Sequence, residues 1–276
     1  MTLKQQNYLP DIDGNSVLID AAGRSKVEIT IMRLQEFEPP EGYYFADSYG
    51  KDSCVVNRLL DMARVKYDAH YSKGGIDPPP LVYFGREYHP DTIIERPSMS
   101  IWKGIQSKGM PRRQARWCCE LIKEKHGSGR RVVTGIRWQE SPRRKSRRMV
   151  EICRTDKTKI FVNPILDWTS EEVWEFIHQE NIPYCSLYDL RGLDGRPLFK
   201  RLGCVLCPME TPSQTSLELE MFPKLAEAWK RACYRYWEKG SDGVKRWATP
   251  EDFWQWWLSR KGEPKVDEAQ CIMFDN

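Results

Sequence analysis

The stretch Ser48-Tyr49-Gly50-Lys51-Asp52-Ser53 constrains this chain most, because it joins the apolar run Tyr43-Tyr44-Phe45-Ala46 to a helical pattern of Val55, Leu59, Leu60, Met62 and Ala63. Strand, short polar loop and helix is an arrangement that holds a phosphate chain. Gly50 lets the backbone approach an anion, and the N–H groups of the helix's first turn point at it. Lys51 adds a point charge, and the Ser48 and Ser53 hydroxyls can donate to phosphate oxygens. Asp52 is unfavourable beside phosphate unless it serves Mg²⁺ or caps the helix. The G-x-x-x-x-G-K spacing of a Walker A loop is absent.

With 276 residues the chain can bury a substantial core, as one α/β domain or as one domain plus an appendage. Residues 1–41 read as a helical lead-in, carried by Ile29, Met32, Leu34 and Phe37 and closed by Pro39-Pro40. From residue 42 strands alternate with helices, which argues for a parallel sheet. Tyr67–Tyr71, Arg131–Gly135 and Ile160–Val162 read as strands, and Gly74–Pro80 as a loop. Leu81–Phe84 fits either a strand or the opening of a helix to Tyr88. Trp117–Lys125 and Thr169–Gln179 read as helices, the second capped by Thr169 or Ser170. Residues 211–276 are helical and rich in tryptophan, and read as an appendage on the core. The net charge of +4 is modest, but basic residues gather at Arg112–Arg116 and Arg143–Arg148. No apolar run reaches membrane-spanning length and no signal pattern opens the chain, so the expectation is a cytoplasmic protein without membrane contact.

A cytoplasmic setting argues against reading the nine cysteines as a disulfide framework. Cys118-Cys119 falls on a helical pattern, and Cys204-x-x-Cys207 lies between Gly203 and Pro208. Four thiolates without histidine suit an iron–sulfur cluster or zinc. The adjacent pair favours [4Fe–4S], because neighbouring residues reach two corners of a cubane more easily than two sites on one tetrahedral ion. Cys54, Cys153, Cys185 and Cys233 read as packing residues. The histidines His70, His89, His126 and His178 show no ligand spacing.

The loop at 48–53 resembles the PP-loop, S-G-G-K-D-S, of the N-type ATP pyrophosphatases, with Tyr49 in place of the first glycine. It is followed in order by Arg116-Trp117-Cys118-Cys119, Thr134-Gly135-Ile136-Arg137 with Glu140-Ser141-Pro142-Arg143, and Asn163-Pro164-Ile165-x-Asp167-Trp168. Ile182-Pro183-Tyr184, Leu187-Tyr188-Asp189 and Gly203-Cys204-x-x-Cys207 complete the series. The order resembles the phosphoadenosine phosphosulfate (PAPS) reductase family over residues 42–210, and the cysteines resemble its iron–sulfur, adenylylsulfate-reducing branch. The resemblance implies an adenine nucleotide α-hydrolase-like α/β fold, a parallel sheet flanked by helices. It places an adenine nucleotide on Ser48, Gly50, Lys51, Asp52, Ser53, Gly135, Arg137, Arg143 and Arg147, with Lys51 and Asp52 catalytic and Cys118, Cys119, Cys204 and Cys207 on the cluster.

Two departures set the competing functions. The reductases end in Glu-Cys-Gly-Leu-His, whereas here Glu268-Ala269-Gln270-Cys271-Ile272 lacks the glycine and histidine. The reductases have usually lost the Lys-Asp pair that this loop keeps. The leading expectation is therefore ATP-dependent adenylation coupled to sulfur transfer, with ATP, Mg²⁺ and the cluster as cofactors and a sulfur donor as partner. The second is a sulfonucleotide reductase with Cys271 as nucleophile and a thiol protein as reductant. The third is a regulator that senses nucleotide and cluster without turnover. Arg112, Arg113, Arg116, Arg143, Arg144, Arg147 and Arg148, with Trp117 or Trp138 for stacking, make nucleic acid a candidate substrate.

Overall fold

The computed structural model describes residues 23–240, 244 and 246–261 together with strands β1 (Asn7–Pro10) and β2 (Ser16–Ile19). It divides into two compact units. The first comprises residues 1–72, 79–95 and 125–202 and holds the sheet. The second comprises residues 73–78, 96–124 and 203–276. The C-terminal helices thus share a unit with two internal segments, where the sequence suggested a boundary at residue 211.

In the first unit β1 and β2 pair antiparallel, so the N-terminal lead-in is not helical throughout. The apolar spacing of Val27, Ile31 and Leu34 belongs to α1 (Lys26–Glu36), which starts at a capping box of Ser25 and Glu28. The chain then runs through β3 (Tyr43–Ala46), α2 (Lys51–Ala63), β4 (Tyr67–Ser72), α3 (Pro79–Tyr88) and β5 (Ile93–Glu95). Leu81–Phe84 is therefore helix, with Leu81 and Phe84 buried one turn apart. In the second unit, α4 (Ile101–Lys108) precedes α5 (Trp117–Cys119), and α5 passes into a π-helical turn, Glu120–Glu124. The first unit resumes with β6 (Arg131–Val133), β7 (Val150–Ile152), β8 (Ile160–Val162) and α6 (Ser170–Gln179).

The main sheet has the order β5-β4-β3-β6-β8-β7. Every neighbouring pair is parallel except β7–β8. Its core gathers Tyr43 and Phe45 of β3 with Val55, Leu59 and Leu60 of α2, Val133 of β6 and Val173 and Ile177 of α6. The order changes direction between β3 and β6, because the chain adds β4 and β5 on one side of β3 and later strands on the other. Open parallel sheets bind ligands beyond the carboxyl ends of the strands at such a switch point. The Ser48–Ser53 loop leaves β3 there, and Thr134-Gly135 leaves β6 beside it.

The second unit continues with α7 (Pro212–Met221), α8 (Pro223–Glu238) and α9 (Pro250–Ser259). Its tryptophans pack together: Trp229 meets Trp102 edge-on at 5.4 Å and stacks on Trp257 at 5.1 Å. Trp257 donates its indole N–H to the Pro111 carbonyl at 2.8 Å. No helix among the described residues is long and apolar enough to cross a membrane.

Candidate active site

Gly50 is the N-cap of α2, with φ −76° and no side-chain cap, so Asp52 does not cap the helix. Its carboxylate lies between two cations instead. Lys51 Nζ donates to Asp52 Oδ2 at 2.8 Å, and Arg137 Nε donates to Asp52 Oδ1 at 2.7 Å. Lys51 and Arg137 are each only 2% exposed. Arg137 is fixed further by the Trp168 carbonyl at 3.2 Å, Gln139 Oε1 at 3.3 Å and Ser170 Oγ at 3.3 Å. Burial lowers the pKa of Lys51 despite Asp52, and the charges of Arg137 and Arg201 lower it further.

The loop's hydroxyls are internally bonded. Ser53 Oγ donates to the Gly50 carbonyl at 3.0 Å and lies 3.1 Å from Ser48 Oγ, while Ser48 itself is exposed. Gly135 earns its place by proximity, since a Cβ there would lie 3.0 Å from the Asp52 carbonyl carbon and 3.2 Å from Ser53 N. Arg147 pairs with Glu151 and lies over the Phe161 ring at 5.3 Å, whereas Arg143 is exposed. The structure thus brings Ser48, Gly50, Lys51, Asp52, Ser53, Gly135 and Arg137 together. Arg147 is engaged by Glu151 of β7, and its charge acts on Arg144 alongside those of Asp52 and Arg137.

Tyr188 and Glu140, quoted from sequence within motifs but given no role, contribute to the site together with Arg144, and Arg201 was not singled out. Tyr188 Oη accepts the Lys51 backbone N–H at 3.2 Å, and Lys51 Nζ lies 5.9 Å from the Tyr188 ring. Glu140 receives Arg144 and the Arg137 amide (2.9 Å) and faces Arg201 Nε at 3.4 Å. Burial, then the charge of Arg201, lowers the Arg144 pKa to about 10. Four cations (Lys51, Arg137, Arg144, Arg201) therefore face two carboxylates (Asp52, Glu140), an excess positive charge suited to a polyanion. Asp47 also supports the loop, by accepting the Tyr49 N–H at 2.8 Å.

Tyr49, at the motif's first glycine, has φ +58°. That region costs a non-glycine residue about 1–2 kcal/mol. Its ring is 2% exposed and stacks on Tyr71 at 4.2 Å. A Cβ at Gly85 would fall 2.2 Å from the Tyr49 ring, so Gly85 makes room for this side chain.

In the second unit, Cys118, Cys119, Cys204 and Cys207 are all unpaired. They are neighbours electrostatically: a hydrogen bond to Cys119, then burial, raises the Cys118 pKa, with the charges of Cys204 and Cys207 adding to the rise. The bond from Cys118 holds Cys119 toward the thiolate, helped by Arg116 and Lys123. Burial pushes Cys204 up to about 12, while Lys123 opposes the shift. Cys204 Sγ lies 3.9 Å from Asp77 Oδ1. Among the described residues, no group of three or more His, Cys, Asp or Glu side chains is arranged around a metal position. Cys118, Cys119, Cys204 and Cys207 supply four thiols with no histidine among them, the donor chemistry an iron–sulfur cluster takes, although they do not surround a single metal position here. Cys54, Cys185 and Cys233 are buried as expected of packing residues, Cys153 is half-buried, and Cys271 lies outside the described residues.

The family model described as the phosphoadenosine phosphosulfate reductase domain matches residues 43–210. The chain belongs to this family. Adenosine 5'-phosphosulfate reductase 2 of Bacillus subtilis is 27% identical over 186 residues, covering 62% of this chain and 75% of that protein. Two uncharacterized proteins of Methanocaldococcus jannaschii are also similar. One is 31% identical over 174 residues (59% of this chain, 34% of that protein), the other 26% identical over 242 residues (82% and 54%). The chain thus spans between about a third and about a half of the lengths of these two relatives. Among solved structures, a Candida auris PAPS reductase in complex with phosphate aligns with TM-score 0.46 at 18% identity, covering 61% of this chain and 85% of that one. Candida glabrata FMN adenylyltransferase aligns with TM-score 0.45 at 16% identity, covering 65% and 62%.

Proposed function

We propose that the chain binds the polyphosphate of ATP at the Ser48–Ser53 loop and adenylates an acceptor, as the first half of a sulfur transfer. The buried Lys51–Asp52–Arg137 chain at the start of α2 carries this reading. An acceptor oxygen attacks the α-phosphorus, the bond to the β-phosphate oxygen breaks, and pyrophosphate leaves. Lys51, with Arg144 and Arg201 behind it, stabilises the charge that develops on that leaving group. Arg137 acts through Asp52, fixing the carboxylate where it would hold Mg²⁺, whose role is to neutralise phosphate charge. A sulfur nucleophile from a donor then displaces AMP from the adenylated position. The thiols of Cys118, Cys119, Cys204 and Cys207 would hold the cluster, which supplies iron coordination to a sulfur species.

Charge placement supports a nucleic-acid acceptor. Residues 143–159 hold eight basic and two acidic residues, a net +6 in a chain whose total is +4. Trp138, 42% exposed, donates its indole N–H to the Arg147 carbonyl at 2.9 Å, which sets an aromatic face beside that segment. A second reading rests on the adenosine 5'-phosphosulfate reductase relatives. In it the loop binds a sulfonucleotide, the Cys271 thiolate attacks the sulfur, the bond from sulfur to the phosphate oxygen breaks and AMP leaves. A reduced dithiol protein then cleaves the S-sulfocysteine, releasing sulfite and ending as a disulfide. One assay separates the two readings. Anaerobically purified protein is given ATP and Mg²⁺, with or without single-stranded RNA or DNA, and pyrophosphate is measured. In parallel it receives adenylylsulfate with reduced thioredoxin, and sulfite is measured. Nucleic-acid-stimulated pyrophosphate release is expected. Sulfite release that is lost in Cys271→Ser, without pyrophosphate, installs the reductase.

A further inference from the structure

We propose that Glu218 and Arg260 are positioning residues that set the Cys204–Cys207 turn, so that the C-terminal helices form part of the thiol site. The inference rests on the reading of those thiols as cluster ligands. Leu206, between the two cysteines, has φ +59° and is fully buried. A γ-branched residue enters the left-handed region at a cost of about 1–2 kcal/mol and needs outside contacts to hold it there. Both of its backbone groups have such contacts. Its N–H donates to Glu218 Oε2 of α7 at 2.5 Å, and its carbonyl accepts from Arg260 Nη2 at 3.0 Å.

Neither partner is free to move. Glu218 is 4% exposed, and its other oxygen accepts from Gln214 at 3.4 Å. The Arg260 guanidinium lies 4.3 Å from the Trp257 ring, whose own N–H is bound to Pro111. Around Leu206 the turn is closed by Cys207 N–H to the Cys204 carbonyl at 3.2 Å, and Val205 N–H reaches the Ile76 carbonyl at 2.7 Å. Arg113 donates to the Pro208 carbonyl at 3.1 Å and the Glu210 carbonyl at 2.8 Å just beyond. If the Leu206 peptide relaxed to a right-handed conformation, the Cα–Cβ bond of Cys207 would swing relative to that of Cys204. The relative placement of the two sulfurs would then change. A carboxylate from one helix and a guanidinium from another therefore decide where two thiols point without touching either sulfur.

The test compares full-length wild type, Glu218→Ala and Glu218→Gln, the last keeping an acceptor oxygen for the Leu206 N–H. In reduced, iron-free protein, iodoacetamide labelling of each cysteine is followed by mass spectrometry, and hydrogen exchange of residues 204–210 is measured on the same samples. The alanine variant is expected to label Cys204 and Cys207 about tenfold faster, with exchange rising in that peptide alone, as for loss of one charged hydrogen bond. Glu218→Gln is expected to restore both. After anaerobic reconstitution with iron and sulfide, Glu218→Ala is expected to hold less iron and to show an altered visible spectrum. Wild-type labelling and exchange in Glu218→Ala overturn the proposal, as does exchange rising evenly through the unit, which marks general destabilisation. Wild type that takes up no iron refutes the cluster reading, while labelling and exchange still decide the clamp.

Discussion

Replacing Asp52 by asparagine tests the charge balance of the phosphate site. Asp52 is the shared partner of Lys51 and Arg137, its own side chain 16% exposed between two cations at 2%. Each carboxylate oxygen accepts one of the two charged donors. An asparagine offers one oxygen and one NH₂, so one cation must face a donor, and neither is neutralised. Removing one partner of a buried ion pair costs about 3–5 kcal/mol, and partial exposure of Asp52 places this case near the lower end. In a chain of this size that is a fall in melting temperature of roughly 6–12 °C. An anion bound at the loop replaces the missing charge, so pyrophosphate is expected to raise the melting temperature of Asp52→Asn more than that of wild type. Differential scanning fluorimetry with and without pyrophosphate, alongside the pyrophosphate-release assay, reads both effects, and turnover is expected to fall at least tenfold. A melting temperature within about 1 °C of wild type, with the same pyrophosphate response, refutes the claim that Asp52 balances two buried cations.

Gly135→Ala puts a methyl group against the Asp52 and Ser53 backbone, which cannot move without shifting the first turn of α2. The expected result is a loss of about 1–3 kcal/mol of stability and a clearly weaker calorimetric ATP titration. Glu210 is held up to about 9 by burial and by the charge of Glu218, so its folded-state value lies above the ordinary 4.5. Its contribution is full below about pH 4.5 and is lost as pH rises toward 9. Glu210→Gln is therefore expected to flatten the decline in melting temperature over that interval, a difference on the order of a few kcal/mol at its upper end.

The phosphate loop was legible because local and long-range signals agreed there. The apolar strand, polar loop and helical spacing of residues 43–63 each required what the others allowed. Other elements lacked that agreement. Strands β5 and β7 lie at the two edges of the sheet with Ile93, Ile94 and Ile152 exposed, and β7 follows a run of arginines that reads as surface. The N-terminal hairpin was missed because the apolar spacing of α1 was extended backward across it. The Trp117–Lys125 helix was foreseen, but its π-helical turn was not, since a five-residue hydrogen-bond register leaves no distinctive apolar spacing. At the site itself, Lys51 and Asp52 were read from their motif, whereas Tyr188, Glu140 and Arg201 arrive from segments distant in sequence. The Asn163-Pro164-Ile165-x-Asp167-Trp168 motif has a structural explanation. Asp167 pairs with both nitrogens of Arg33 at 2.7 and 2.9 Å, and Trp168 donates to Thr30 at 3.1 Å, so the motif binds α1 to the sheet.

Tyr49 shows what that loop conserves physically. The PP-loop pattern places glycine where the backbone turns left-handed, and here tyrosine makes the same turn. The cost of about 1–2 kcal/mol is offset by an aromatic side chain that, fully buried, removes on the order of 150–250 Å² from water. That burial exists only because Gly85 lacks a side chain and Tyr71 offers a parallel face. The glycine requirement has in effect moved from residue 49 to residue 85, from the loop to the helix beside it. The turn's geometry is thereby kept, and with it the direction in which the first amides of α2 point. On the proposed reading, the departure from the motif leaves the loop able to hold an anion, and selectivity between ATP and a sulfonucleotide would arise from the groups around the loop. Those groups are the cations balanced by Asp52 and Glu140, which set how much negative charge the site accepts. A triphosphate with Mg²⁺ and a phosphosulfate differ most in that quantity.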